Sequence, residues 1–376
     1  MRNSGRLRIS RKFIVAGHIA KDAHIKINDC NSLPRVFERL LKNSTPISKT
    51  SEVLGKDWTF SKVLTVLNEH MVSPVSHSYG GRGPNVAYGA ALLGATVELI
   101  GFVGEDFDKP YPGFYDGGYR THLVNAGVII NELHLTPDKI HTIEEEGHDR
   151  GLLAFENKEI PTIYCVKDLY GNDFYFIDDI TGAHVLAEAS PIPKKTVQRY
   201  DGIFITSGEQ PFNRRLIDCA YKLNKEIIFD IGAYDLKDDY LREVIPKCNT
   251  ILGNQYEINL AKQAFQIKRI EGLFDVSSDI TTIILEDKIT CTAEILERNK
   301  APTKIGPIKV KKRVSSVGCC DGIAAGYLGF QAQGYDTITA TNAGLIQCAN
   351  IWQVEGVQEG MLNKQQLLHK MKTPIQ

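Results

Sequence analysis

The chain lacks three things that would each assign it to a class. No apolar run approaches the ~20 residues of a membrane span, so no membrane partner is expected. Neither sign of charge dominates: 44 basic residues face 45 acidic ones, for a net charge of −1, so nothing points to nucleic acid or an anionic surface. The 8 cysteines show no C-x-x-C pair and no Cys/His grouping at zinc spacing, which suggests reduced thiols in a cytoplasmic protein. The basic start with Phe13-Ile-Val-Ala is too short for a signal peptide and lacks a clear cleavage site, so it is read as a core strand. Walker and G-x-G-x-x-G patterns are missing as well, so a phosphate site must be built otherwise.

What is present is a chain of 376 residues, 43% apolar, long enough for one large domain with an addition. Its centre is Ser315 to Gly326, Ser-Ser-Val-Gly-Cys-Cys-Asp-Gly-Ile-Ala-Ala-Gly. Upstream, Pro307 to Val314 alternates apolar and charged residues as a half-buried strand does, and downstream Ile323, Tyr327 and Phe330 recur at helical spacing. A small-residue turn thus feeds a helix. Gly318, Cys319 and Cys320 permit close approach to a backbone whose first free N–H groups suit an anion. Asp321, at the helix start, either caps the helix or serves as the base that phosphoryl transfer to a hydroxyl needs beside such donors. The adjacent cysteines are either small apolar residues in a tight turn or a redox pair.

Lys12 to Gly17 predicts a strand, with Asp22 just beyond its carboxyl end, where open α/β sheets bind ligands, unless Asp22 is only a turn residue. Residues 29–79 are expected to be irregular, with helical pieces at 36–41 and 60–70, as an insertion or lid. Tyr79-Gly-Gly-Arg-Gly-Pro-Asn85 then opens a small-residue helix. Gly80, Gly81 and Gly83 allow backbone approach, and Asn85 offers a donor and an acceptor that suit a vicinal diol; a simple tight turn is the alternative. Glu144 to Asp149 is taken as a solvated loop. Thr162 to Val166 and Asp173 to Ile177, joined by Tyr170-Gly-Asn, predict a hairpin and a second lid piece that would exclude water. From residue 196 onward, short apolar runs alternate with amphipathic helices, which predicts a mostly parallel sheet covered on both faces. Asn254-Gln-Tyr-Glu257 either caps a helix or holds hydrated magnesium or a phosphate indirectly. Residues 337–356 read as a helix carrying Asn342.

Together these stretches resemble the ribokinase-like (PfkB) carbohydrate and nucleoside kinases over most of residues 12–360. The resemblance is carried by Gly80 to Asn85 with Leu93-Gly94 and Ile100 to Asp106, by Gly318-Cys-Cys-Asp321, and by Asn254-x-x-Glu257. It implies a doubly wound, mostly parallel α/β sheet flanked by helices, with a small β-sheet lid. The core would comprise 12–22, 80–150 and 185–370, the lid and insertion 23–79 and 151–184, and a flexible start 1–11. It further implies ATP-dependent transfer of the γ-phosphoryl group to a hydroxyl of a sugar, with a nucleoside as the alternative acceptor, or else an impaired kinase fold that binds a ligand or partner. Asp321 would be the general base, and the N–H groups of Gly318, Cys319, Cys320 and Asp321 the anion hole. Asp22, Gly80, Gly81 and Asn85 would contact the substrate, while Asn254, Glu257 and Asn342 would serve the nucleotide and Glu257 would reach Mg2+ through water. A homodimer through the lid is also expected. Two departures stand out: Cys319-Cys320 replaces the family's usual Ala-Gly, and Ile284-Leu-Glu286 replaces Thr-Leu-Gly, setting a carboxylate where phosphates would be repelled.

Overall fold

A computed structural model of the chain describes residues 10–41, 44–110, 117–143, 148–170, 172–232 and 236–372. The acidic loop expected at 144–149 and the flexible start at 1–11 lie mostly outside these residues. Within the latter, Arg11 is anchored: it pairs with Glu226 and donates to the Gln331 carbonyl at 3.0 Å.

The apolar runs seen in the sequence build a 10-stranded sheet. From one edge the order is Thr303–Ile305, Thr292–Glu297, Thr282–Asp287, Thr250–Asn254, Glu226–Asp230, Gly202–Ile205, Lys12–Ala16, Thr96–Gly104, Leu152–Phe155 and Glu132–Leu135. Pairing is parallel from Thr282–Asp287 to the far edge, and the two remaining strands are antiparallel. Alternate residues feed opposite cores, as the period of a strand requires. Phe13 and Val15 pack with the helices Arg82–Leu92, Cys319–Gln331 and Thr337–Ile351, whereas Ile14 and Ala16 pack with Gln210–Lys222, Asp238–Val244 and Gln255–Ala264. Burying each such large side chain contributes about 1.5–3 kcal/mol. Residues at or just past the carboxyl ends of Lys12–Ala16, Gly202–Ile205, Thr250–Asn254 and Thr282–Asp287 line one crevice.

A separate 5-stranded sheet has the order Ser44–Pro46, Asp173–Ile177, Thr162–Asp168, Ala20–Ile27 and Ser76–Gly80. Its hairpin, Thr162–Asp168 against Asp173–Ile177, is the one expected from the turn chemistry. One face is covered by the Phe60–His70 helix and the turn at Arg35–Leu40 through Ile25, Phe37, Val63, Leu67, Phe174 and Phe176. The opposite face presents Asp22, Cys165 and Tyr175 to the main domain.

Three expectations need correction. Residues 307–314 form no strand: Pro307 has no N–H to donate, and the segment finds no partner strand. The 29–79 insertion is not irregular throughout, since Ser44–Pro46 and Ser76–Gly80 are strands of the small sheet. Leu152–Phe155, taken as lid, pairs with Thr96–Gly104 and Glu132–Leu135 in the large sheet, while Asp22 already lies within the lid strand Ala20–Ile27. Asp106 holds both crossings: it accepts from Lys21 at 2.6 Å and from the Ile160 amide at 2.8 Å.

Candidate active site

The helix Cys319–Gln331 begins after Gly318, whose φ of 73° lies in the left-handed region. A side chain there would be strained and would also collide with Val357. Cys319 and Cys320 have ordinary helical conformations, so their replacement of smaller residues adds no backbone strain. The amides of Gly318, Cys320 and Asp321 have no partner among the described residues, whereas that of Cys319 donates to the Ser316 carbonyl at 3.3 Å. Three N–H groups, rather than the expected four, are therefore free to receive an anion. Burial pushes the Cys320 thiol well up, so it is no thiolate, and Cys319 is packed wholly in the apolar core.

Asp321 is 6% exposed and is held from two sides. Asn85 Nδ2 donates to its Oδ2 at 2.7 Å, and Arg82 Nε lies 3.2 Å from Oδ1. The same guanidinium reaches Asp230 at 2.7 Å and Glu257 at 3.6 Å. These three carboxylates outweigh the burial that works against its charge and raise the pKa of Arg82. Asn85 is fixed in turn: Gln358 Nε2 donates to its Oδ1 at 2.8 Å and to the Tyr119 hydroxyl at 3.0 Å, while Gln358 Oε1 accepts from His122 at 2.7 Å. Gly81, at φ 90°, starts the Asn85 helix so close to the backbone of His18 that no side chain fits.

Asp22 faces Asp321 across a cavity of about 320 Å3 that is also lined by Gly81, Asn85, Asn254, Glu257, Gly318 and Cys320. Gly80 does not line it, yet a Cβ there would strike the Asp22 carboxylate. Burial first, then the charges of Asp321 and Glu359, push Asp22 up to about 8. Asn254 and Glu257 form a capping box: Asn254 Oδ1 accepts from the amides of Tyr256 and Glu257 at 2.9 and 3.0 Å, and Glu257 Oε2 accepts from the Asn254 amide at 2.9 Å. Both residues also border the cavity, so the cap is built at its edge. Asn342 is half-buried on its helix and lines neither this cavity nor the next.

A second cavity of about 670 Å3 runs from Asn254 and Tyr256 along Glu286 to Ile305. Glu286 is 4% exposed, and burial, then Asp230 and Glu257, push it up to about 8. It is therefore largely neutral near pH 7, which removes the repulsion expected from a carboxylate at this position. Lys288 borders both cavities and keeps its charge near pH 7: its pKa is raised although burial opposes it, Glu286 being ionised in the alkaline range where Lys288 titrates.

Sequence reasoning missed Arg82, Asp230, Lys288 and Gln358 as site residues. Asp230 and Lys288 carried a signal, since each stands at the carboxyl end of an expected strand. Gln358 carried none, being 273 positions from its partner Asn85.

The profile of the pfkB family carbohydrate kinases matches residues 65–361. A nucleoside kinase of Methanocaldococcus jannaschii is 24% identical over 286 residues, covering 75% of this chain and 82% of that protein. The crystal structure of the M. jannaschii nucleoside kinase, an archaeal member of the ribokinase family, superposes with a TM-score of 0.69 at 19% identity, covering 96% of this chain and 98% of that one. Arabidopsis thaliana ribokinase complexed with ribose and ATP gives a TM-score of 0.67 at 14% identity, with 97% and 99% covered. Burkholderia thailandensis nucleoside kinase in complex with inosine gives 0.69 at 16%, with 96% and 97% covered.

Proposed function

Because the chain belongs to the pfkB carbohydrate kinase family, and is thus a phosphotransferase acting on an alcohol group, we propose that it moves the γ-phosphoryl group of ATP onto a hydroxyl of a nucleoside or sugar, with Asp321 as general base. The observation that carries this reading is the position of Asp321. It stands at the start of a helix with three partnerless amides, on the wall of a cavity that Asp22 enters from the lid.

In the proposed reaction the acceptor hydroxyl donates to Asp321, which takes its proton as the oxygen bonds to the γ-phosphorus. The bond from that phosphorus to the bridging oxygen breaks, and the electron pair leaves with ADP. The amides of Gly318, Cys320 and Asp321, with Lys288, hold the charge on the moving group. Arg82 and Asn85 fix the carboxylate of Asp321, and Asp22 and Asn85 receive the remaining hydroxyls of the acceptor. The lid excludes water that would otherwise hydrolyse the donor. The hard oxygen donors Asn254 and Glu257 fit hydrated Mg2+, reached through water because both are engaged in the helix cap. When bound, Mg2+ would offset charge on the β- and γ-phosphates.

The lid contributes Ile163, Cys165, Tyr175 and Ile177 to the acceptor cavity, facing Val317 and Val357. An apolar wall of this kind suits a flat base better than a bare polyol, so the nucleoside reading gains over the sugar reading. The nucleoside kinase relatives agree with it. The proposal includes a cytoplasmic protein with free thiols, acting on small molecules rather than nucleic acid or membrane, and a homodimer through the lid's edge strand Ser76–Gly80. No helix of the described residues is long and apolar enough to cross a membrane. ADP release measured with ATP and Mg2+ across nucleosides, pentoses and hexoses tests the assignment: turnover should be fastest with a nucleoside. Turnover with hexoses alone would return the acceptor to the sugar class, and ligand-induced stabilisation without any turnover would favour a binding protein.

A further inference from the structure

Beside the acceptor cavity, but outside the machinery described above, three ligand-bearing side chains converge from distant segments. His18 follows the central strand Lys12–Ala16, His184 lies in the turn Ala183–Leu186 where the chain returns from the lid, and Glu209 precedes the helix Gln210–Lys222. One ligand atom from each lies within 4.8 Å of the other two. We propose that His18, His184 and Glu209 bind one divalent transition-metal ion of the zinc class.

The groups are left without partners in a way that a cation would resolve. His184 is 6% exposed, yet neither of its ring nitrogens has a hydrogen-bond partner, and Nε2 of His18 has none either. The Glu209 carboxylate accepts no hydrogen bond and joins no ion pair among the described residues. Buried polar atoms in folded proteins are nearly always paired, so a cluster of such atoms aimed at one point calls for a ligand. The ring centroids lie 5.3 Å apart at 60°, and neither His184 nitrogen bonds to the His18 ring. Gly182 leaves the space: a Cβ there would come to 2.6 Å from His184 Nδ1. The void between them offers about 10 Å3, room for a single ion or water.

Two imidazoles and one carboxylate are the donors of zinc-class sites and not of Mg2+, which prefers oxygen. Bonds of 2.0–2.1 Å in a tetrahedron need ligand atoms about 3.3 Å apart, which small side-chain rotations would reach. A fourth position would open toward the acceptor cavity, which His18 and Glu209 also line. The ion would join the lid's return segment to the central strand.

The test uses the full chain, stripped by a chelator and then given Zn2+ or Co2+ alone. One equivalent of Zn2+ should bind and raise the melting temperature, and Co2+ should give the visible absorption of a tetrahedral site. Both responses should vanish in His184→Ala, and affinity should fall about tenfold or more in the isosteric Glu209→Gln, which carries the test should the first variant fail to fold. Lack of stoichiometric uptake by the unmodified chain, or uptake equal in Glu209→Gln, overturns the proposal. Equal uptake would assign the metal to thiols elsewhere.

Discussion

Asp22→Asn separates what the acceptor site needs from what the fold tolerates. Asp22 is 4% exposed, and its carboxyl is raised from 3.8 to about 8 by burial and by the charges of Asp321 and Glu359. The folded chain therefore holds a proton that the unfolded chain releases between about pH 4 and pH 8. Over that window the folded state binds more protons, so stability falls as pH rises, by about 1.4 kcal/mol per unit, and levels off above about pH 8. At pH 7 the cost is about 4 kcal/mol. Asparagine has the same shape and does not titrate. Urea denaturation at several pH values should show the variant gaining on the unmodified chain as pH rises from about 5 to 8. Other raised groups, such as Glu286 and Glu209, are common to both proteins and drop out of the difference. In turnover above about pH 8, where Asp22 is ionised, the same substitution should raise the acceptor KM far more than it lowers kcat, because the hydroxyls lose their charged acceptor. Parallel stability curves over this range would refute the reasoning, since Asp22 would then titrate alike in the folded and unfolded chains.

Glu286→Gln should raise the melting temperature at pH 8 and leave the ATP KM unchanged or lower, because Glu286 is buried with Oε1 unpartnered and is raised to about 8; a thermal-shift loss would contradict this. Gln358→Leu leaves Asn85 Oδ1 without its donor at a cost of about 1–3 kcal/mol, and should lower kcat about tenfold with a smaller change in ATP KM, checked by steady-state kinetics.

The parallel sheet was legible because runs such as Phe13-Ile-Val-Ala and Glu226-Ile-Ile-Phe are buried on both faces, and burial of that kind leaves a local mark. Asp321 was legible for a similar reason, since a glycine turn and a helical period meet within twelve residues. The lid was only half visible. Its hairpin shows in turn chemistry, but Ser44–Pro46 and Ser76–Gly80 are short, polar edge strands whose pairing is decided by distant partners. Residues 307–314 illustrate the converse: their alternating pattern meets no neighbouring strand, so it yields none. Asn254 and Glu257 supported two readings; the capping box is formed, and it stands at the edge of the cavity, where the ligand reading is a proposal. The support behind Asp321, from Arg82 to Asp230 and from Gln358 to Asn85, is long-range hydrogen bonding that leaves no local pattern.

The central claim is that Asp321 takes the proton of the acceptor. Single-turnover phosphorylation by Asp321→Asn, with binding of ATP and acceptor measured separately, tests it most directly. The rate of the chemical step should fall by about 10²- to 10⁴-fold while both substrates bind within a few-fold of the unmodified chain. A rate within a few-fold of the unmodified chain would contradict the account.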